Sequence, residues 1–282
     1  MILVFGKTGQ VAIELQRLGG VIALGRDAVD LSDPGSCAAA IHEYAPFAVI
    51  NAAAYTAVDR AEEDEAVATI INGYAPAAMA NACAELSVPF IHISTDYVFD
   101  GTGADPWAPT AKTNPQTAYG RSKLAGEIGI RASGAVHAII RASWAISSHG
   151  NNFVKSMLTL SEREASMKVV ADQVGGPTPA YDIALACLQI VEQLIEDPSK
   201  SGTYHLSGAP DLSWAEFAST IFAQAGRSVT VTPISSAEYP TPANRPLNSR
   251  MDCSATEDTF GITRPDWRLG LSRILYDLEV NG

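Results

Sequence analysis

The first eighteen residues constrain the fold more than any other stretch of this chain. An apolar run at residues 2–5 leads into Gly6-Lys7-Thr8-Gly9-Gln10-Val11-Ala12, and residues 13–18 have the apolar spacing of a helix. This order predicts a strand, a glycine-rich turn and a helix. Glycines let a backbone approach a pyrophosphate closely, and the N–H groups at a helix N-terminus favour its charge. Because the Gly-x-x-Gly-x-x-Ala spacing is looser than the dinucleotide-binding fingerprint, a plain tight turn explains this stretch equally well by itself.

The same alternation of strand and helix continues along the chain. Strands are predicted at residues 21–24, 47–50, 89–93 and 136–140, and helices at 34–44, 59–69 and 75–86. This order predicts an α/β fold built on a Rossmann-type, doubly wound parallel sheet. The acidic run Glu62-Glu63-Asp64-Glu65 is interpreted as a solvated helix face.

The remaining third of the sequence predicts a smaller α/β lobe that binds the substrate. Ser213 and Glu216 form a capping-box pattern that opens a helix. The other elements predicted here are helices at residues 153–160, 180–195 and 269–278 and strands at 202–207 and 229–232. We predict a dinucleotide-binding domain at 1–147 with returning segments at about 168–209, and a substrate-binding lobe at about 148–167 and 210–282.

Composition excludes several classes of protein. The chain has 282 residues, of which 47% are hydrophobic, and a formal net charge of -12 that disfavours a nucleic-acid partner. It has no apolar run near the ~18 residues of a membrane span, and no basic leader pattern precedes the first strand, so we predict a cytoplasmic protein without a membrane partner. The four cysteines form no Cys-x-x-Cys pair, and the five histidines lack metal-ligand spacing. We interpret the cysteines as reduced thiols and the histidines as packed or solvated side chains.

Tyr119 and Lys123 are the strongest candidates for chemistry. Four residues apart on a predicted helix, their side chains project from one face. A phenol ionises near pH ~10, but a nearby ammonium lowers that pKa toward working pH and makes the phenol an effective acid. Because such a pair often arises by chance, an ordinary exposed helix face is the alternative.

A polar cluster follows the fourth predicted strand. The stretch from Ser94 to Gly101 holds hydroxyls, carboxylates and aromatic rings. A hydroxyl from Ser94 or Thr95 can hydrogen-bond a substrate carbonyl beside the Tyr119 phenol, which gives two donors to an oxygen that gains charge. The alternative is a turn rich in Ser, Thr and Asp.

Two other strand ends suggest a cofactor site. Asn51-Ala52-Ala53-Ala54-Tyr55-Thr56 follows the third strand, and its small side chains leave room in the crevice where open α/β sheets bind ligands. A tight packing surface is the alternative. Arg26 follows the second strand, where an Arg suits a 2′-phosphate and an acidic residue suits NAD. This favours NADPH over NADH, although a solvated surface charge also explains Arg26.

Together these motifs resemble the extended short-chain dehydrogenase/reductase family. The resemblance rests on the glycine turn, the Asn-Ala-Ala-Ala-Tyr-Thr stretch, Ser-Thr-Asp-Tyr-Val-Phe-Asp-Gly from Ser94 and the Tyr-x-x-x-Lys pair. It continues through Arg141-Ala142-Ser143-Trp144, Gly150-Asn151-Asn152-Phe153 and Arg245-Pro246, so it spans nearly the whole chain.

The resemblance implies a reductase that transfers hydride from a nicotinamide to the C4 keto group of a nucleotide-linked sugar. It implies Tyr119 as general acid, Lys123 as the residue that lowers its pKa and holds the nicotinamide ribose, and Thr95 as the partner hydroxyl. The cofactor contacts that we predict, including the glycine turn and Arg26, are Gly6, Gly9, Gln10, Val11, Arg26, Asp30, Leu31, Ala52, Ala53, Ala54, Thr56, Tyr119 and Lys123. The resemblance implies a sugar pocket lined by Thr95, Asp96, Tyr97 and Trp144.

Two departures from the family pattern limit what the resemblance implies about metal binding and reaction type. Some members join subunits through Mg²⁺ held by glutamates; Glu14 matches one such position, but no Glu stands near residues 180–182. We therefore predict no metal site and a monomer or a homodimer. Dehydratases of the superfamily have Asp-Glu where this chain has Asp96-Tyr97, which argues against dehydration. The alternatives are a reductase of another nucleotide 4-keto sugar and a catalytically silent, cofactor-binding regulatory subunit.

The proline-rich segment after residue 233 is predicted to be a loop that covers the substrate. Arg245 or Arg250 in this segment can meet a phosphate, or each can form a surface salt bridge.

Overall fold

The computed structural model describes residues 1–280. Its strands are β1 Ile2–Phe5, β2 Val21–Leu24, β3 Ala48–Asn51, β4 Phe90–Thr95, β5 His137–Ala142, β6 Ala145–Ile146, β7 Ser166–Val170, β8 Val174–Gly175, β9 Thr178–Pro179, β10 Gly202–Leu206, β11 Leu212–Ser213, β12 Thr230–Ile234 and β13 Asn248–Ser249. Its α-helices are α1 Gln10–Leu18, α2 Pro34–Tyr44, α3 Val58–Ala61, α4 Glu65–Thr69, α5 Ala75–Leu86, α6 Ala118–Ala132, α7 Phe153–Ser161, α8 Ala180–Glu196, α9 Trp214–Gln224, α10 Ser254–Phe260 and α11 Trp267–Asp277.

Six parallel strands form the central sheet, in the order β10-β5-β4-β3-β1-β2. The predicted α/β fold with a doubly wound parallel sheet is confirmed. The strand order reverses between β1 and β3, and ligands of open α/β sheets bind beyond the carboxyl ends of the strands at such a reversal. The glycine turn after β1 (residues 6–12) and the alanine segment after β3 (residues 52–54) therefore meet at this point.

Helices cover the sheet on both faces, as the apolar strands require. On one face α1 and α8 pack against side chains that include Val4, Ile50 and Ile140. On the other face α2 and α5 cover side chains that include Phe5 and Phe90. Because both faces of the sheet are buried, polar side chains can reach a ligand only at the ends of the strands.

The second lobe has its own apolar cluster. It combines α7, α9 and α11 with short strands, which form a β11-β8-β13 sheet and a β12-β7 pair. The capping box of Ser213 and Glu216 opens α9 as predicted. The domain boundaries at about residues 147, 168 and 209 stay predictions. No helix within residues 1–280 is long and apolar enough to cross a membrane.

The helix predicted at residues 59–69 is wrong as a single element. The structure has α3 and α4 with a break between them, and a π-helical segment, Ile70–Tyr74, joins α4 to α5. The break lets the acidic residues reach partners: Asp64 accepts a hydrogen bond from the Tyr55 hydroxyl at 3.0 Å and Glu62 accepts one from the Ala118 backbone N–H at 2.9 Å. The acidic run is therefore only partly a solvated face, because it also anchors the start of α6.

Candidate active site

The glycine turn lies directly against the alanine segment. Gly6 has a φ of +107°, and a Cβ placed on it would meet the Ala52 carbonyl at 3.3 Å. Glycine is needed there both for the left-handed backbone and for the close approach. No side chain caps α1, so its first N–H groups face the crevice without a protein acceptor from a capping residue. Such a helix start favours a negatively charged group.

The predicted adenosine-side residues lie along the neighbouring strand end. Arg26 follows β2 and is exposed, so its guanidinium is accessible to a phosphate. The Asp30 carboxylate accepts a hydrogen bond from the Ser32 backbone N–H at 2.9 Å, which lowers the pKa of Asp30. Leu31 is half-buried beside it. These positions fit a mixed charged and apolar cleft of the kind that an adenine nucleotide occupies.

Helix α6 presents Tyr119 and Lys123 to the crevice. Thr117 caps its N-terminus by accepting a hydrogen bond from the Gly120 N–H at 3.0 Å. Any Cβ at Gly120 would collide with the Tyr97 carbonyl oxygen, so glycine lets the helix approach the turn that follows β4. The pair is therefore held against the polar cluster rather than on an ordinary exposed face.

Thr95 and Tyr119 form the first part of the catalytic group. Thr95 ends β4, accepts a hydrogen bond from the Tyr97 N–H at 3.2 Å and donates one to Asp96 at 3.0 Å. Burial raises the pKa of Tyr119 above its usual value, while the Thr95 hydroxyl works in the opposite direction. The Tyr97 and Tyr119 rings meet edge to face with centroids 5.5 Å apart. Without a bound cofactor, the Tyr119 phenol is fully protonated at neutral pH and holds the proton that an acid must donate.

Lys123 is buried, with 1% of its surface exposed. Its ammonium nitrogen, Nζ, lies 2.6 Å from the Ile93 carbonyl oxygen and 3.0 Å from His92 Nε2. Burial lowers the pKa of Lys123 to about 7, and Glu127 one turn away raises it only in part. A lysine with this pKa changes its charge near neutral pH.

Asp96 lies beside this pair with an open oxygen. It is 3% exposed, and burial raises the pKa of its carboxyl to about 6 while the Ser249 and Thr95 hydroxyls lower it. Neither Asp96 Oδ2 nor the Ser249 hydroxyl makes a hydrogen bond of ordinary geometry within residues 1–280. Two buried polar atoms without partners suit a site whose partner is a ligand hydroxyl.

Trp144 follows β5 at the same edge of the sheet. Its φ is +46°, an uncommon value for a bulky residue, and its carbonyl accepts a hydrogen bond from the Thr178 N–H at 3.0 Å. Its ring stacks on Trp214 with centroids 3.5 Å apart and planes 11° from parallel. Gly175 lies against the ring edge, where a Cβ would come within 3.0 Å. Trp214 thus holds the predicted sugar-pocket residue in place.

Asn72, in the π-helical segment, is a residue that sequence reasoning missed. Its side chain accepts from the Tyr55 N–H at 2.8 Å and donates to the Tyr55 carbonyl at 3.0 Å and to Ser122 at 2.9 Å. Asn72 therefore connects residues 52–56, which are predicted to contact the cofactor, to α6. π-helical turns occur frequently at functional sites, but a single sequence gives no clear signal for one.

The two loop arginines have protein partners in this structure. Arg245 pairs with Asp59 at 2.9 Å, and Arg250 donates to the Ala104 carbonyl at 3.2 Å. The Arg245 pair links the proline-rich loop to α3 across the cleft. The salt-bridge alternative therefore describes Arg245 here.

Glu14 belongs to a cluster of charged side chains rather than to a group of carboxylates. Its carboxylate lies 3.4 Å from Arg17 and 3.4 Å from His149, and Arg17 also pairs with Asp277 at 2.9 Å. Within residues 1–280 no three His, Cys, Asp or Glu side chains are grouped to hold a metal ion.

Comparisons with known proteins agree with this site. The family model described as "RmlD substrate binding domain" matches residues 1–280. The chain is 42% identical over 289 residues to a dTDP-4-dehydrorhamnose reductase of Sinorhizobium fredii, covering 99% of this chain and 98% of that protein. The solved dTDP-4-dehydrorhamnose reductase from Clostridium acetobutylicum superimposes with a TM-score of 0.91 at 36% identity and 99% coverage of both chains.

A second solved structure bears on the cofactor. The dTDP-4-dehydrorhamnose reductase from Bacillus anthracis in complex with NADP has a TM-score of 0.90 and 32% identity over 98% of each chain. The resemblance inferred from the sequence motifs is thus confirmed along the whole chain. This protein belongs to the RmlD family of nucleotide-sugar reductases, within the extended short-chain dehydrogenases/reductases.

Proposed function

We propose that this protein reduces the C4 keto group of dTDP-4-dehydro-β-L-rhamnose to give dTDP-β-L-rhamnose, the last step of dTDP-L-rhamnose biosynthesis. The observation that carries the proposal is that the Thr95 hydroxyl acts on the Tyr119 phenol while Lys123, one turn along α6, is held by the Ile93 carbonyl of the same strand, in a chain 42% identical to such a reductase over nearly its full length. NADPH is the cofactor, as the NADP complex of the Bacillus anthracis relative supports.

The site fits a dinucleotide at the point where the sheet order reverses. Gly6 lies so close to Ala52 that a side chain has no room there, and a Cβ placed on Gly9 would lie 3.7 Å from the Ala52 carbonyl oxygen. The uncapped start of α1 would hold the pyrophosphate through Gln10 and Val11 N–H groups. Ala53, Ala54 and Thr56 would line the path toward the nicotinamide.

When bound, the reduced nicotinamide supplies hydride to the C4 carbon of the sugar. Tyr119 donates its phenolic proton to the C4 oxygen, and the Thr95 hydroxyl, turned away from Asp96, donates a second hydrogen bond to that oxygen as charge develops on it. Lys123 in its charged form stabilises the phenolate that remains.

The sugar is recognised by buried polar groups that have no hydrogen-bond partner among residues 1–280. Asp96 Oδ2 and the Ser249 hydroxyl have unused hydrogen-bonding capacity in a buried position, which sugar hydroxyls satisfy. Tyr97 and Trp144 supply ring surface for the apolar faces of the sugar. Burial raises the pKa of Tyr97 to about 12, and Arg245 lowers it in part, which places a cation beside Tyr97.

Arg26 sets the preference for the 2′-phosphate. Its exposed guanidinium at the end of β2 can pair with that phosphate, and replacing it with Asp should reverse the preference toward NADH. A cytoplasmic location and the choice between a monomer and a homodimer stay predictions, as does the division into two domains.

The test follows the loss of nicotinamide absorbance when the purified protein meets NADPH and freshly generated dTDP-4-dehydrorhamnose, with NADH in parallel. Tyr119→Phe should abolish the loss. Tyr204→Phe is the matched control, because Tyr204 is on β10 and its hydroxyl donates to the Lys200 carbonyl at 2.6 Å. Full turnover by Tyr119→Phe would contradict the mechanism. NADPH binding without oxidation would instead favour another nucleotide 4-keto sugar or a regulatory subunit.

A further inference from the structure

Three buried side chains form a continuous hydrogen-bonded row behind the catalytic pair. Asn51 ends β3, His92 is in β4 and Lys123 is on α6, and each is at most 1% exposed. Asn51 Nδ2 lies 3.1 Å from His92 Nδ1, and His92 Nε2 lies 3.0 Å from Lys123 Nζ. No other titratable side chain hydrogen-bonds to His92 within the described part of the chain.

The orientation of the Asn51 amide is fixed by the backbone. The Ala53 N–H, which can only donate, points at Asn51 Oδ1 at 3.1 Å. The amide nitrogen therefore faces His92 and donates to Nδ1. A neutral imidazole that accepts at Nδ1 carries its hydrogen on Nε2, so His92 presents an N–H to Lys123.

This arrangement is compatible only with a neutral Lys123 side chain. An ammonium has three donors and no acceptor, so it would oppose the His92 Nε2–H. A neutral amine has a lone pair that accepts this hydrogen and still donates to the Ile93 carbonyl at 2.6 Å. Burial lowers the pKa of both Lys123 and His92, which agrees with two neutral groups in the free protein.

We propose that His92 is a positioning residue whose ring tautomer, imposed by Asn51, sets the charge of Lys123. The neutral state holds the ring hydrogen on Nε2. When Lys123 is charged, its Nζ holds one more proton and the His92 ring hydrogen is on Nδ1. Asn51 Nδ2 then no longer donates a hydrogen bond to His92 Nδ1. The proposal rests on the proposed role of Lys123, because only the ammonium promotes ionisation of Tyr119.

The other charged groups around this row do not set the charge of Lys123 in place of His92. From α6 itself, Tyr119 is on the preceding turn and Glu127 on the following one. Glu127 raises the pKa of Lys123, but its carboxylate is occupied by Arg141 and Ser94. From the turn that follows β4, Asp96 acts on Tyr119 rather than on Lys123. His92 is thus the titratable side chain that touches Nζ directly.

The test reads the tautomer in the full-length protein without cofactor. The histidines are labelled with ¹⁵N, and two-bond ¹H–¹⁵N spectra identify which ring nitrogen carries hydrogen between pH 6 and 9. We expect His92 with hydrogen on Nε2 at the alkaline end, changing to Nδ1 as Lys123 becomes charged. His92 with hydrogen on Nδ1 at every pH would overturn the proposal.

A variant reverses the direction of the hydrogen bond between residue 51 and His92. Asn51→Asp keeps an acceptor for the Ala53 N–H but offers a second acceptor to Nδ1, so the ring hydrogen should remain on Nδ1 and Lys123 should stay charged to higher pH. The pH profile of kcat should shift by about one unit or more, while His137→Gln, a half-buried histidine at the far end of β5, should leave both readouts unchanged. An unchanged tautomer in Asn51→Asp would refute the coupling. Should that variant not fold, the wild-type spectra still decide, and they do so whether or not the protein oxidises NADPH.

Discussion

Helix α6 buries two charged residues one turn apart, and their surroundings differ completely. The Glu127 carboxylate accepts hydrogen bonds from Ser94 at 2.6 Å, from Arg141 at 2.7 and 2.8 Å, and from Arg131 at 3.2 Å. These partners hold the pKa of Glu127 below its usual value despite burial. Among residues 1–280, no carboxylate lies within hydrogen-bonding distance of Lys123, and burial lowers its pKa to about 7.

The difference separates a structural charge from a functional one. A buried ion with a complete set of partners stays charged and fixes the packing of α6 against β4 and β5. A buried ion without an opposite charge is close to losing its proton, which is the condition that proton-transfer chemistry requires. Changes at the two positions should therefore be distinguishable in activity and in stability.

The largest expected effect is on turnover at Lys123. Lys123→Met keeps the length of the side chain but removes the amine, so kcat should fall by roughly 10²–10⁴-fold, as expected for loss of acid–base assistance. The folded state should be at least as stable as the wild type at pH 7, because a costly buried amine is gone. Steady-state kinetics and urea unfolding measure the two quantities; a variant that keeps wild-type kcat would remove Lys123 from the mechanism.

The next largest effect is on stability at Glu127. Glu127→Gln leaves the buried Arg141 guanidinium without its counter-charge, and the free energy of unfolding should fall by about 3–5 kcal/mol. Turnover per folded molecule should change much less. Glu85→Gln is the matched control, because Glu85 is 66% exposed and pairs with His42 at the surface. Equal losses in the two variants would mean that Glu127 does not stabilise the fold as proposed.

A smaller effect is the dependence of stability on pH. Between about pH 7 and the ordinary lysine value of 10.5, the unfolded chain holds a proton on Lys123 that the folded chain has released. Stability from this residue should therefore rise with pH across that window, by at most about 1.4 kcal/mol per unit. From pH 7 to 9 the stability of the wild type should therefore rise relative to that of Lys123→Met, which unfolding curves of both proteins measure. Parallel slopes would show that Lys123 stays charged in the folded protein.

The smallest effect is expected for an exposed pair. Arg245 and Asp59 are 36% and 40% exposed, so Asp59→Asn should change the free energy of unfolding by no more than about 1 kcal/mol. High salt should reduce even that change, whereas it should leave the Glu127 effect largely intact. Denaturation at low and high salt compares the two. A loss as large as that of Glu127→Gln would mean that the loop is a major part of the fold.

Sequence patterns predicted the parts of this site that depend on local order. The glycine turn after β1, the hydroxyl at the end of β4 and the Tyr119-Lys123 spacing each follow from periodicity within a short stretch. The strand ends were predicted one or two residues early, since β4 and β5 continue into Thr95 and Ala142. These polar or small residues resemble loop in composition but are paired in the sheet.

Contacts between distant segments could not be predicted in this way. Asn51, His92 and Lys123 come from three elements, and only the sheet order places them in a row. A signal did exist, because His92 is in the middle of an apolar run that reads as a buried parallel strand, where a titratable ring requires partners. The break between α3 and α4 was missed because helical spacing continues through it, while the hydrogen bonds of Glu62 and Asp64 to other segments decide the backbone.

The place of β10 at the edge of the sheet affects how the chain is made. β10 pairs with β5, yet the ribosome must synthesise residues 143–201, which include α7 and α8, before Gly202–Leu206 emerges. At roughly 5–20 residues per second, β5 waits several seconds with an unpaired backbone edge beside Ile139 and Ile140. During that interval the nascent chain presents a template for pairing with other chains. The edge of β5 is therefore covered only after Gly202–Leu206 has been synthesised and has paired with it.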